Sequence, residues 1–219
     1  MKRVAFYGGS FDPIHNGHLQ IAEKLTELFE LDEFWFVPAF HAPHKRGKNV
    51  TSPVCRYAMI ALATNAESKI KISTVELNAP EKPYTFETLA KLKNQLSSAQ
   101  IFFVMGADSW KEITTWREWE TVLTVVNIII VTRPKFEIEF SHVGEEIQGR
   151  IVDLRKNVLS RKSEIENHAT ATKIYITDAV NLDVSATEIR RKISANETDW
   201  RELVPPQVAK YIEKYELYI

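Results

Sequence analysis

The chain predicts an α/β fold, a doubly wound parallel sheet with a small helical subdomain at its C-terminal end, and three observations predict it. Short β-branched and aromatic runs alternate with helical periods from Arg3 onward, a pattern that covers both faces of a sheet with helices. A glycine-rich turn falls between the first run and the first helical period, where open parallel sheets gather their ligands. After the last strand-like run, Lys173 to Thr177, only helical periods remain.

The strand-like runs are Arg3 to Tyr7, Glu33 to Val37, Lys69 to Ser73, Ile101 to Met105, Asn127 to Thr132 and Lys173 to Thr177. Between the first two, Ile21, Leu25 and Leu28 with Ala22 and Phe29 trace one face of a helix. Ser52 followed by Pro53 is an N-cap and first-turn pair for a helix running to about Asn65. Thr85 to Leu96 and Arg117 to Val125 read as further helices. The stretch Lys135 to Thr170 is rich in charge, and its periodic part, Glu145 to Leu159, predicts a peripheral helix. Helices over Ser185 to Ile193 and Pro205 to Tyr215 close the chain, with Pro205 and Pro206 suited to a helix start. We therefore expect one domain, residues 1–219, of which 178–219 form the helical subdomain.

Composition narrows the function. The 219 residues are 44% hydrophobic and 26% charged, ordinary globular usage. Lys and Arg number 28 against 29 Asp and Glu, a net charge of −1, so no global field draws in nucleic acid or an anionic membrane. The lone cysteine, Cys55, sits in an apolar helical stretch and reads as a small buried thiol in a reducing, cytoplasmic setting. The apolar run after Lys2 and Arg3 stops at Gly8, short of a signal-peptide core. Val122 to Val131, interrupted by Thr124 and Asn127, is too short to cross a bilayer.

Chemistry concentrates in Tyr7-Gly8-Gly9-Ser10-Phe11-Asp12-Pro13-Ile14-His15-Asn16-Gly17-His18-Leu19. Gly8 and Gly9 let the backbone approach a phosphate, and amides at the start of the next helix point at the same anion. The segment is neither a P-loop nor a dinucleotide fingerprint. His15 and His18 instead project three apart from one face of the first turn. There the imidazoles can donate charge-assisted hydrogen bonds to an oxygen that gains charge during phosphoryl or nucleotidyl transfer. Near the other end, Ser185-Ala186-Thr187 form an N-cap and anion nest that directs Arg190 toward phosphate, while Arg191 reads as solvated surface.

Blander readings stand beside these. The pairs His15/His18 and His41/His44 have zinc-like spacing, but no cysteine or carboxylate accompanies them and Lys45 and Arg46 would repel a cation, so no protein-held metal is expected. Asp108 could simply cap the helix after Gly106. Trp116 and Trp119 read as core by propensity, and His142 and His168 as surface.

At these residues the sequence resembles the nucleotidyltransferases with an H-x-G-H signature. Gly9 to His18 looks like their first motif, and Val184-Ser185-Ala186-Thr187-Glu188-Ile189-Arg190 like their second, approximately I-S-S-T-x-I-R. The resemblance narrows to the bacterial nicotinate-mononucleotide adenylyltransferases through intermediate landmarks. Val37-Pro38 followed by Pro43-His44-Lys45 resembles their V-P-x-x-x-P-P-H-K loop, and Tyr84 to Leu89 their Y-T-x-D-T-L. Gly106-Ala107-Asp108 resembles their G-x-D, Trp116 their pyridine-site tryptophan, and Thr132-Arg133-Pro134 their R-P. Ala39, Ala42, Glu87 and Ala186 depart from the pattern, and the segment 135–170 is longer than usual there.

The resemblance implies a Rossmann-like nucleotidyltransferase that transfers AMP from ATP to nicotinate mononucleotide, giving deamido-NAD and pyrophosphate for NAD biosynthesis. It assigns His15, His18, Lys45 and Arg190 to catalysis. ATP would be held by Gly8, Gly9, Ser10, Phe11, His15, His18, Gly106, Asp108, Arg133, Ser185, Thr187 and Arg190. The mononucleotide would be held by Ser10, His44, Lys45, Thr85, Asp108 and Trp116. Mg²⁺ is expected to arrive bound to ATP oxygens. The implied partners are ATP and nicotinate mononucleotide, without nucleic acid or membrane, and a homo-oligomer stays open. So do three other readings: the same chemistry on nicotinamide mononucleotide, the same chemistry on phosphopantetheine, and a nucleotide-binding regulator without catalysis. A tRNA-charging enzyme is disfavoured, because 219 residues leave no anticodon-binding domain.

Overall fold

Alternation inside the strands decides the layers. In the computed structural model, which describes residues 1–40, 51–132, 137–155, 165, 171–180 and 184–219, successive strand residues face two separate apolar cores. The first strand, β1 (Arg3–Gly9), sends Ala5 into one core and Val4 and Phe6 into the other. In the same way β4 (Gln100–Gly106) divides Phe102 and Val104 from Ile101, Phe103 and Met105. A strand apolar on both faces belongs in the middle of a covered parallel sheet.

The remaining strands are β2 (Glu33–Pro38), β3 (Ile70–Ile72), β5 (Asn127–Val131), β6 (Ile151–Asp153) and β7 (Ile174–Thr177). Their order is β3-β2-β1-β4-β5-β7-β6, and every pairing is parallel. The chain runs outward from β1 to β3, then crosses back to β4 and builds the other half. That reversal leaves a crevice beyond the carboxyl ends of β1 and β4.

Helices cover both faces. One core lies under α1 (Asn16–Leu28) and α2 (Pro53–Thr64), which contribute Ala22, Leu25, Met59 and Ile60. The opposite core lies under α3 (Thr85–Gln95), α4 (Ala107–Lys111) and α5 (Trp119–Val125), with Leu89, Leu92, Trp110, Val122 and Leu123. Each large apolar side chain fully buried this way contributes about 1.5–3 kcal/mol over leaving it in water. The caps are local: Ser52 Oγ accepts from the Cys55 amide at 3.2 Å, and Glu87 Oε2 accepts from the Tyr84 amide at 2.8 Å.

The expected peripheral helix over Glu145 to Leu159 is corrected. Among its described residues only α6 (Glu145–Gln148) is helical, and Gly149 ends it by donating its amide to the Glu145 carbonyl at 2.9 Å. The chain then becomes β6, whose Ile151 and Val152 pair with Ile174 and Tyr175 of β7. Strand pairing outweighs the helical period there. Nor is the region peripheral, because Val143, Ile147, Leu154 and Ile165 are buried. Residues 156–159 lie outside the described residues.

The C-terminal block consists of α7 (Ala186–Ser194), a 3₁₀ turn (Asp199–Leu203) and α8 (Pro206–Lys214). Ile189, Ile193, Trp200, Val208 and Ile212 join the core that also contains Ala5, Phe11 and Leu25. Cys55, expected buried, is only half-buried on α2. Among the described residues no helix is long and apolar enough to cross a membrane.

Candidate active site

The turn after β1 is fixed by close packing. A Cβ on Gly9 would stand 2.8, 3.0 and 3.2 Å from three atoms of the Phe11 ring. That ring cannot yield easily, since it is buried edge-on to Tyr7, His18 and Phe36. Phe11 itself has a left-handed backbone, φ 47°, which a bulky residue adopts only when its surroundings enforce it. The following Asp12–Pro13 bond is cis.

Three distant segments meet on Asp12, which is buried. The Tyr218 hydroxyl donates to Oδ1 at 2.7 Å, the Thr51 amide reaches Oδ2 at 3.4 Å, and Arg190 Nη1 donates to the Asp12 carbonyl at 2.5 Å. Burial and the Asp12 carboxylate raise the Tyr218 phenol above its usual range, so it stays a donor.

His15 is the N-cap residue of α1, with an extended backbone at φ −143° and ψ 170°. One turn on, the His18 ring stacks on it with centroids 3.6 Å apart and an interplanar angle of 25°. The His15 amide donates to His18 Nδ1 at 3.3 Å. A neutral His18 therefore carries its proton on Nε2. Burial first, then the neighbouring His15, holds the His18 pKa well below its usual 6.5, which keeps the ring neutral. Gly17 makes the stack feasible, because a Cβ there would lie 3.1 Å from His15 Nδ1. The first turn of α1 contains no acidic residue, so the positive helix end remains open to an anion.

Two cavities open on either side of Gly8, Gly9 and Ser10. The first, about 410 Å³, runs between His15, Gly17 and His18 on one wall and Val184, Ser185 and Ala186 on the other, past Gly106 and Asp108. The second, about 580 Å³, is lined by Ala39, Glu76, Lys82, Tyr84, Thr85, Thr88 and Arg117. Phe103, Ser109 and Trp116 border both. Each volume suits a ligand of nucleotide size. In the second cavity burial pushes the Glu76 carboxyl up while Thr88 Oγ1 donates to it at 2.9 Å. At its rim the Arg117 guanidinium stands 4.8 Å from the centre of the Tyr84 ring.

Of the residues singled out in the sequence, Gly8, Gly9, Ser10, Phe11, His15, His18, Gly106, Asp108 and Ser185 line the first cavity. Thr85 lines the second, and Trp116 both, while Asp108 borders the first cavity rather than the second. Thr187 and Arg190 do not line the first cavity directly but follow Ser185 and Ala186 along α7, and Arg190 Nη2 donates to Thr187 Oγ1 at 3.2 Å. Arg191 keeps to the surface, paired with Glu188 and Glu197 at 2.7 and 2.8 Å. His44, Lys45, Arg133 and the rest of the 41–50 loop and the R-P pair lie outside the described residues, as does His168.

Trp116 and Trp119, expected as core, are half-buried. His142, expected at the surface, tucks its Nε2 within 3.1 Å of the Trp110 carbonyl. Three residues escaped sequence reasoning: Glu76, Tyr218 and Arg56, the last completely buried. Arg56 did carry a signal, since it lies three and four residues before Met59 and Ile60 on an apolar helical face.

A family profile described as cytidylyltransferase-like matches residues 6–192. A probable nicotinate-nucleotide adenylyltransferase of Clostridium tetani (strain Massachusetts / E88) is 33% identical over 218 residues, covering 100% of each chain. One from Clostridium botulinum (strain Eklund 17B / Type B), with the same description, is 35% identical over 219 residues and covers 100% of this chain and 98% of the relative. The fold is similar to that of Plasmodium falciparum nicotinic acid mononucleotide adenylyltransferase complexed with NaAD, with a TM-score of 0.73 at 24% identity. That match covers 100% of this chain and 98% of the other.

Proposed function

The chain belongs to the cytidylyltransferase-like family, among the nicotinate-nucleotide adenylyltransferases, and from that premise we propose that it transfers AMP from ATP to nicotinate mononucleotide. One observation carries this reading: two nucleotide-sized cavities meet at Gly8, Gly9 and Ser10, beside the Nε2–H of His18. A donor nucleotide in the first and an acceptor in the second would bring their phosphates together at that junction.

An oxygen of the acceptor phosphate attacks the α-phosphorus of ATP in line, and the bond from that phosphorus to pyrophosphate breaks. No enzyme nucleophile is needed, so the protein's work is alignment and charge stabilisation. His18 donates from Nε2 to a non-bridging α-phosphate oxygen, an interaction that strengthens as charge develops, and the stacked His15 fixes the ring. Ser185, Thr187 and Arg190 hold the phosphates from the start of α7, with Lys45 assigned to the same phosphates by its motif. Gly106, Asp108 and Arg133 complete the donor side. Thr85 and Trp116, with His44 by motif, hold the acceptor.

Mg²⁺ fits this site in a limited way. Among the described residues no group of three or more His, Cys, Asp or Glu gathers, and Asp108 is the one carboxylate lining the donor cavity. Such a donor set suits an ion carried mainly by triphosphate oxygens, where it would neutralise charge on the leaving pyrophosphate. We place the reaction in the cytoplasm, in keeping with a single unpaired cysteine.

Pyrophosphate release with ATP, Mg²⁺ and a panel of mononucleotides tests the proposal. Release is expected only with an acceptor present, and nicotinate mononucleotide is expected to exceed the amide in kcat/KM. Faster turnover with the amide would change the acceptor, and no turnover with any mononucleotide would favour a regulator.

A further inference from the structure

Arg56 is 0% exposed, and among the described residues no ion pair accounts for its burial. Its guanidinium instead spends its donors on four backbone carbonyls. Nε donates to Thr51 at 3.2 Å, Nη1 to Ser10 at 2.7 Å, and Nη2 to Ala39 at 2.5 Å and to Phe40 at 3.3 Å. Those carbonyls come from the turn after β1, the chain leaving β2 and the residue before the α2 cap. Among the described residues, Asp12, Tyr218 and Glu76 are the titratable groups whose charges act on the guanidinium. A buried charge held this way costs desolvation that a leucine or methionine would avoid, so its presence calls for a role beyond filling space.

Two of the clamped residues name that role. Ser10 lies on the wall the two cavities share, and Ala39 on the wall of the acceptor cavity alone. We infer that Arg56 is a positioning residue of the transfer reaction, whose guanidinium sets the distance between the Ser10 turn and the acceptor wall at Ala39. Arginine is the side chain suited to this, because its planar fork carries five donors in fixed directions. A lysine ammonium at the same place keeps the charge but cannot span carbonyls from three segments at once. In-line attack is sensitive to such spacing, since a misplacement of about 1 Å can lower the rate about 10²-fold. The choice of substrates rests on the adenylyl-transfer reading, whereas the clamp itself does not.

The test compares Arg56→Lys and Arg56→Met with the wild type after circular dichroism has shown them folded. Expected is a fall of about 10²-fold in kcat/KM for the mononucleotide. The dissociation constant of a non-hydrolysable ATP analogue, measured without acceptor, should change by less than about threefold, and lysine should not rescue. Wild-type kinetics in either folded variant, or equal losses for both ligands, would overturn the inference. If neither variant folds, ¹⁵N resonances of the Arg56 guanidinium in the wild type decide it: they should shift on adding mononucleotide, and constancy would overturn the role. A wild type that turns over no mononucleotide fails the functional reading separately, and mononucleotide affinity of the same variants then carries the test.

Discussion

The two walls of the reaction site are built on opposite plans. One wall of the donor cavity is a contiguous stretch, Gly8 to His18, held so closely that a methyl group on Gly9 would stand 2.8 Å from the Phe11 ring and one on Gly17 3.1 Å from His15 Nδ1. The acceptor wall is assembled from remote segments that supply Ser10, Ala39, Glu76, Thr85 and Trp116; Arg56 ties Ser10 to Ala39, and Thr88 ties Glu76 to α3. A wall made by packing should be sensitive to added atoms. One made by hydrogen-bonded ties should be sensitive to lost donors and comparatively indifferent to small changes of volume.

The largest effect is expected at the residue proposed to touch the reacting phosphate. His18→Ala should lower kcat by about 10²-fold or more, the scale of losing one preorganised donor to developing charge, and should move the ATP KM much less. Near-wild-type turnover in a folded His18→Ala protein would make this histidine a helix cap and remove the centre of the donor wall.

Smaller, and aimed directly at the contrast, is a pair of stability measurements. Gly9→Ala pushes a methyl group into the Phe11 ring and should cost about 1–3 kcal/mol in urea unfolding. Ala39→Gly on the acceptor wall removes a methyl group and leaves the carbonyl bonded to Arg56, so it should cost no more than about 1 kcal/mol. Equal losses would break the distinction between a packed wall and a tied one.

The smallest expected effect is in pH dependence. The native His18 pKa lies below its unfolded value of 6.5, so between the two the unfolded chain binds more protons. The His18 contribution is therefore fully present above pH 6.5 and is lost as pH falls through the native value. Urea midpoints of the wild type and His18→Asn should run parallel above neutrality and converge toward acid. Parallel curves at every pH would mean that neither burial nor His15 acts on the ring.

These plans also explain what could be read from the sequence. The strand runs, the sheet class and the Gly8 to His18 turn rest on local signals, such as apolar alternation, caps and glycines beside a helix start. Even the purpose of Gly17 is local, since it spaces a histidine two residues away. Where the fold departed, at Glu145 to Leu159, a helical period yielded to pairing with β7, a partner distant in sequence. Arg56 and Glu76 were missed for the same reason, because their ligands are carbonyls and hydroxyls from other segments. Tyr218 had no local signal at all.

That last residue sets an order of assembly. The hydroxyl that closes on the buried Asp12 carboxylate comes from a residue 206 positions later, while Thr51 and Arg190 reach Asp12 from segments made in between. During synthesis the turn after β1 emerges well before Tyr218, and the knot around Asp12 is complete only once Tyr218 has left the ribosome. A nascent chain can hold its sheet and its histidines and still lack the last stitch of its reaction centre. Competence to bind both substrates in register would then wait on the segment that carries Tyr218 rather than on the turn itself.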